Sequence, residues 1–272
     1  MGNSNFATLR QPEFLDELPL WSAPFGLKLL DYIDYMPDII AIDLGFGTGF
    51  PLIEIAMRLG NHSTIYGIDE WKDGIGRTER KIEFYGLQNV KILEGSVESI
   101  PLEDESVDLI TSNNCINNVS NRNKALMECS RLLRKNGQFI QTMNLEKSMF
   151  EFYNEMEKIL VELHLKQEID LMYKHIETKR PSTDKILEIM KHDFIIKDIE
   201  YDEFKIKFSN GTTMFSHYFI KNIFMKSWKE IIPEDRQEEI FDILETRLNE
   251  NAKKYCGIKI SIPFVLINSI KK

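Results

Sequence analysis

The chain has 272 residues, 43% of them hydrophobic, and a formal net charge of −9. That length and apolar content suffice for one domain with additions rather than two independent domains. No apolar run approaches the ~20 residues of a membrane span, and the acidic balance argues against nucleic acid, whose binding rests on clustered Lys and Arg.

The first predicted element is a helix with apolar positions at Leu27, Leu29, Leu30 and Ile33, entered through the Pro- and Gly-flanked aromatics Trp21 and Phe25. A buried strand follows from Ile39 and ends at Asp43 or Leu44, after which Gly45, Gly47 and Gly49 let the backbone turn tightly under a ligand. Pro51 suits the first turn of the next helix. The third glycine comes one residue too early for a dinucleotide fingerprint, which asks for G-x-G-x-x-G. A second strand, Thr64 to Asp69, also ends in an acid, whose carboxylate is able to accept bonds from both ribose hydroxyls at about 1.5–3 kcal/mol each. Glu70 beside it points to the other side of the strand end. Trp71 is read either as a cover for the strand end or as a surface for an adenine ring.

A third strand with a following turn spans Asn89 to Glu98, and a fourth spans Val107 to Ser112. Ser112, Asn113, Asn114, Asn117 and Asn118 then lie at the carboxyl end of a parallel strand, where open sheets bind ligands, although asparagines also serve turns and helix caps. Apolar residues from Ala125 to Leu133 give one helical face, closed at Lys135 to Gly137 before a fifth strand. A long helical pattern runs from Lys147 to about Ile176. Pro181 interrupts it, and Ser182 or Thr183 caps the next helix. Strands are predicted at Ile195 to Phe208 and Ile258 to Ile270. The roughly fifty residues between them far exceed a hairpin loop of 2 to 5. They carry two helical patterns, Thr213 to Ile231 and Glu234 to Tyr255.

Asp43-x-Gly45-x-Gly47-x-Gly49, the acid at Asp69, the P-L-E-D-E-S-V-D segment from Pro101 and the helix-turn-strand from Ala125 to Met143 together resemble class I S-adenosylmethionine-dependent methyltransferases, and within them the broad type 11 group. The resemblance covers about Ile39 to Asn144. It implies an α/β, Rossmann-like seven-stranded, mostly parallel sheet with helices on both faces and the last strand antiparallel, with an N-terminal lid and a helical insertion before that strand. As one domain, 1–37 are the lid segment and helix, 38–208 and 258–272 the core, and 209–257 the insertion. The cofactor implied is S-adenosyl-L-methionine, held by Asp43, Gly45, Gly47, Gly49, Asp69, the main chain of Ser96 and Val97, and Asn113. Ser96 departs from the aspartate many relatives carry there.

Substrate choice is expected in the flanking segments. Trp21 and Phe25 are read as a lid or as an aromatic staple at the helix entry, and Asn114 and Asn117 as substrate contacts or caps. The insertion is read as a cap over the substrate end of the sheet, or as a dimer interface built from Phe215, Phe219, Phe224, Met225 and Trp228. The implied reaction is in-line methyl transfer to a small-molecule acceptor, in which an acid-base residue is optional. His217 and Tyr218 are the candidates, weighed against ordinary packing. His62, His164, His175 and His192 are expected at the surface. The alternatives are a non-catalytic S-adenosylmethionine-binding protein and an NAD-dependent oxidoreductase.

Cys115, Cys129 and Cys256 are few, odd in number and far apart, fitting a reducing compartment and giving no metal spacing. S-N-N-C-I-N-N-V is similar to a stretch of arsenite methyltransferases, but Cys115 is offset and lacks partner thiols. With neither a leader nor a myristoylation signal, the expectation is a cytoplasmic monomer or homodimer without metal or membrane partners.

Overall fold

A computed structural model describes residues 21–272, so the first twenty residues of the expected lid segment lie outside the described residues. The elements are α1 (Ser22–Asp31), β1 (Ile40–Leu44), α2 (Leu52–Leu59), β2 (Thr64–Asp69), α3 (Lys72–Tyr85), β3 (Val90–Glu94), β4 (Val107–Asn113), α4 (Arg122–Leu132), β5 (Leu133–Asn144), α5 (Phe150–Glu162), α6 (Lys166–Lys179), α7 (Thr183–Met190), β6 (Phe194–Phe208), α8 (Gly211–Ser216), α9 (Met225–Lys229), α10 (Gln237–Tyr255) and β7 (Ile258–Lys271). The seven strands form one sheet in the order β3-β2-β1-β4-β5-β7-β6. Six strands are parallel and β7 is antiparallel, as expected. Contacts divide the chain into two compact units. One takes the chain up to Asn144 with Ser182–Asp202 and Phe264–Lys272, the other Leu145–Pro181 and Glu203–Pro263. The second unit therefore combines the insertion with the α5–α6 segment.

In the first unit, Ala41 on β1, Ile65 on β2, Leu109 on β4 and Ile140 on β5 meet Leu29 and Leu30 of α1 and Leu52 and Ile55 of α2 in one apolar cluster. β1 reads as a continuous apolar run because both faces are covered. Gln138 ties α1 to the sheet: its amide nitrogen donates to the Tyr32 carbonyl and to Asn268, and its oxygen accepts from the Asp34 amide. The Asn121 side chain caps α4 by accepting from the Lys124 amide. α4 ends at Leu132, not at Lys135 to Gly137. Val107 already pairs with Leu133, and the register slips before Leu109 pairs with Gln138. Lys135 to Gly137 thus form a bulge within β5, with Asn136 in the left-handed region (φ 64°).

In the second unit the long helical pattern is two helices. His164 adopts φ 59°, and the Leu165 amide closes back onto the Leu160 carbonyl, ending α5. Ser182 caps α7 as expected, its hydroxyl accepting from the Lys185 amide. The insertion opens on a capping box formed by Asn210 and Thr213. Its first helical stretch is broken into α8, a π turn at Ile220–Phe224 and α9, because His217 takes an extended ψ of 128°. Phe215, Phe219 and Trp228 are buried. Phe152 of α5 stacks on Trp228 at 3.9 Å and meets Phe215 edge-on, while Phe215 also packs on Phe241 of α10. This corrects the dimer-interface alternative for Phe215 and Trp228, whose apolar surface is spent inside their own unit. No helix among the described residues is long and apolar enough to cross a membrane.

Candidate functional site

The carboxyl ends of β1 and β2 lie side by side, Asp43 in register with Gly67 and Leu44 with Ile68. The chain leaves β1 through Gly45 (φ 69°), Gly47 (φ 56°) and Gly49 (φ 107°), all in backbone regions that side chains resist. The Gly45 amide donates to the Ile68 carbonyl, fastening the loop's first residue to β2. A cis Phe50–Pro51 bond then leads into α2.

Gly47 is held on both of its peptide groups. Its amide donates to Asp69 Oδ2 at 2.7 Å, and its carbonyl accepts from the Thr78 hydroxyl at 3.1 Å. Asp69 Oδ1 accepts from the Trp71 amide at 2.8 Å. Burial pushes the Asp69 carboxyl up, and the Trp71 and Gly47 amides hold it back. Lys81 of α3 donates to the Thr48 carbonyl. These anchors close the loop from the α3 side. Among the described residues a Cβ built on Gly47, by contrast, would meet nothing within 4 Å, whereas one on Gly45 would strike Cys115 Sγ at 2.5 Å and one on Gly49 would crowd Ile53 and Thr78. The described residues therefore pack against two of the glycines and leave the middle one uncovered.

Asp43 is fully buried. Its Oδ1 accepts from the Thr111 hydroxyl at 2.7 Å, while Oδ2 has no hydrogen-bond partner among the described residues. Burial pushes this carboxyl up to about 7, the Thr111 hydroxyl opposing the rise and the Asp69 charge adding to it. Burial next to the same two acids raises the Cys115 thiol, which is no ready nucleophile.

Ser96 and Val97 follow β3, joined to the end of β2 by the Gly95 amide donating to the Asp69 carbonyl. The Ser96 hydroxyl accepts from the Glu98 amide, so that side chain serves its own turn. The asparagine run links the ends of β4 and β5. Asn113 donates to the Ser22 carbonyl and accepts from Thr142, Asn114 accepts from the Asn144 amide, and Asn117 donates to Asn114 and Asn144. Both ends of the Asn113 amide are engaged within the fold. Phe25 is fully buried and packs edge-on against Phe264 at 4.9 Å, with Trp21 beside it at 5.8 Å. This pair packs at the entry of α1. Glu70 is exposed and Trp71 buried.

Thus Asp43, the three glycines and Asp69 form one connected group, while Ser96 and Val97 stand at the next strand end. His217 and Tyr218 belong to the second unit. The His217 ring meets Phe208, its Nδ1 is buried without a hydrogen-bond partner among the described residues, and burial lowers its pKa. His62, His164 and His192 are exposed as expected. His175 is not: it is half-buried in the second unit, and its pKa is lowered to about 4 by burial and by nearby Arg180 and Lys179. Thr78 and Thr111 escaped sequence reading. The available signal for Thr111 was a hydroxyl within an apolar strand that pairs beside an acid. Among the described residues no His, Cys, Asp and Glu cluster is arranged for a metal, and the three cysteines are free, with Cys129 buried.

A family model described as a methyltransferase domain matches residues 37–201. The chain is 33% identical over 128 residues to a ubiquinone/menaquinone biosynthesis C-methyltransferase UbiE of Brucella canis, covering 46% of this chain and 44% of that protein. It is 30% identical over 129 residues to an uncharacterized 37.1 kDa protein in a transposon of Streptomyces fradiae, covering 47% of this chain and 37% of that one. The chain thus spans less than half the length of these curated relatives. In structure it is similar to the YcgJ protein of Bacillus subtilis, with a TM-score of 0.59 and 19% identity over 92% of this chain and 98% of that one. These structural likenesses carry the fold.

Proposed function

The chain belongs to the methyltransferase-domain family, and we propose that the loop of β1 and the end of β2 bind S-adenosyl-L-methionine for methyl transfer to a small-molecule acceptor. The observation that carries this reading is the middle of the glycine loop. Gly47 is clamped by Asp69 and Thr78, yet no described residue covers the side of its backbone where a Cβ would stand. A clamped, bare stretch of backbone fits close approach by a ligand. A solved geranyl diphosphate methyltransferase of the same fold was crystallised with S-adenosylmethionine, at a TM-score of 0.56 and 14% identity.

Asp69 is the proposed ribose partner. Its two backbone bonds use two of roughly four lone-pair sites on a carboxylate, leaving capacity for two hydroxyls. Main-chain groups of Ser96 and Val97 are offered to the adenine. Asp43 sets the loop's start, its buried Oδ2 without a hydrogen-bond partner among the described residues, while Asn113 acts through the hold it exerts on the entry of α1 rather than by touching the cofactor. Bound there, S-adenosylmethionine supplies a methyl group already activated by its sulfonium. What remains for the protein is alignment of an acceptor atom, which contributes on the order of 7–11 kcal/mol in favourable cases. His217, whose pKa burial lowers, is the candidate to take a proton from an acceptor that must lose one, with Tyr218 beside it. The acidic net charge of −9, which disfavours nucleic acid, supports a small-molecule acceptor.

Calorimetric titration with S-adenosylhomocysteine beside NAD tests the reading. Micromolar binding of the former alone is the expected result. Binding of NAD, or of neither, overturns it, and tight binding without transfer to broad acceptor pools favours a non-catalytic cofactor-binding protein.

A further inference from the structure

Within the second unit, Arg180 follows directly on α6 and is 3% exposed. Its Nε and Nη1 are buried without hydrogen-bond partners among the described residues. The guanidinium instead lies over the Tyr153 ring, 5.0 Å from its centroid. Tyr153 is fixed in turn: its hydroxyl accepts from Trp228 Nε1 at 3.0 Å, and its ring faces His175 at 6.3 Å. A buried guanidinium without a counter-charge is among the least favourable arrangements a fold can retain. An aromatic face moderates that cost without supplying a counter-charge. His175 supplies none either, being held neutral, with its pKa lowered to about 4 by burial and by Arg180 and Lys179. The surroundings of Tyr153 are thus aromatic, positively charged and short of an acceptor.

We propose that Arg180 is the anchor of an anion site within the second unit and takes the carboxylate of a small organic acid. The site does not depend on the methyltransferase reading above. A carboxylate fits better than a phosphate dianion, because one negative charge neutralises one guanidinium while a second would be buried in excess. The planar fork matches two carboxylate oxygens. The Tyr153 hydroxyl, already accepting from Trp228, keeps its own proton to donate.

The experiment is thermal unfolding of the full chain with benzoate and hexanoate, with benzamide and inorganic phosphate alongside, and S-adenosylhomocysteine titrated separately. Both carboxylates are expected to raise the wild-type midpoint by about 2–4 °C at saturation, and benzamide not at all. Arg180→Met should abolish the shift while leaving the ligand-free midpoint unchanged or higher, because an unpaired buried charge is replaced by apolar atoms. Arg180→Lys, which keeps charge but not the fork, should retain a reduced shift. S-adenosylhomocysteine binding should persist in both variants. An unresponsive wild type, an undiminished shift in Arg180→Met, or a larger response to phosphate overturns the carboxylate site. If carboxylates act through Arg180 but S-adenosylhomocysteine does not bind the wild type, the anion site stands and the methyltransferase reading alone falls.

Discussion

Replacing Asp43 by Asn isolates the ionisation of a carboxyl that the fold buries completely. The substitution is nearly isosteric. Its amide oxygen still accepts from Thr111 as Oδ1 does at 2.7 Å, and its NH2 takes the place of an Oδ2 that has no partner among the described residues. In the unfolded chain Asp43 ionises near 3.8, and in the native chain near 7. Between those values the native state holds a proton that the unfolded state has lost. This group's stability is therefore complete below about pH 4 and is lost as pH rises through 7. The gap corresponds to about 4 kcal/mol, of which the interval from pH 5 to 8 carries somewhat more than half. Urea unfolding of wild type and Asp43→Asn at pH 5, 6, 7 and 8 measures the difference directly, since contributions of groups that do not interact with Asp43 cancel. The variant is expected to gain on the wild type steadily up to pH 7 and to level off above it. Parallel stability–pH curves for the two proteins would refute the buried-carboxyl argument.

Asp69→Ala is expected to weaken S-adenosylhomocysteine binding by about 2–4 kcal/mol through lost ribose bonds and to cost stability, because the Gly47 and Trp71 amides lose their acceptor; calorimetry showing unchanged affinity in a folded variant would falsify the ribose role. Gly47→Ala places one carbon on the side of the loop that no described residue covers at a backbone angle costing about 1–2 kcal/mol. The stability loss should stay that small while affinity falls at least tenfold, and normal binding would mean that the loop is only a turn. His175 has a folded pKa lowered to about 4, so its contribution is present above pH 6.5 and is lost as pH falls through 4. His175→Gln should flatten the acid limb of the stability curve, and an unaltered limb would show that the ring is solvated.

The carboxyl-end geometry of β1 and β2 was legible because every device in it is local. Alternating glycines admit left-handed angles, an acid ends each strand, and apolar runs mark strands buried on both faces. Seven strands and the antiparallel last one followed from the same patterns through the family resemblance. What failed to show in the sequence was contact between distant residues. That Asp69 clamps Gly47, that Thr111 partners Asp43, and that the asparagine run spends its amides on Ser22, Thr142 and Asn144 depends on strand register, which no local pattern specifies. The second unit is the clearer case. Its helical periodicity was visible, but the breaks at His164 and His217 arise from backbone angles with no Gly or Pro to announce them. His175 was expected at the surface, and nothing local marked Arg180. Only packing decided that one stays neutral and the other is buried without a counter-charge, because desolvation is set by what surrounds a side chain in three dimensions and not by its neighbours along the chain.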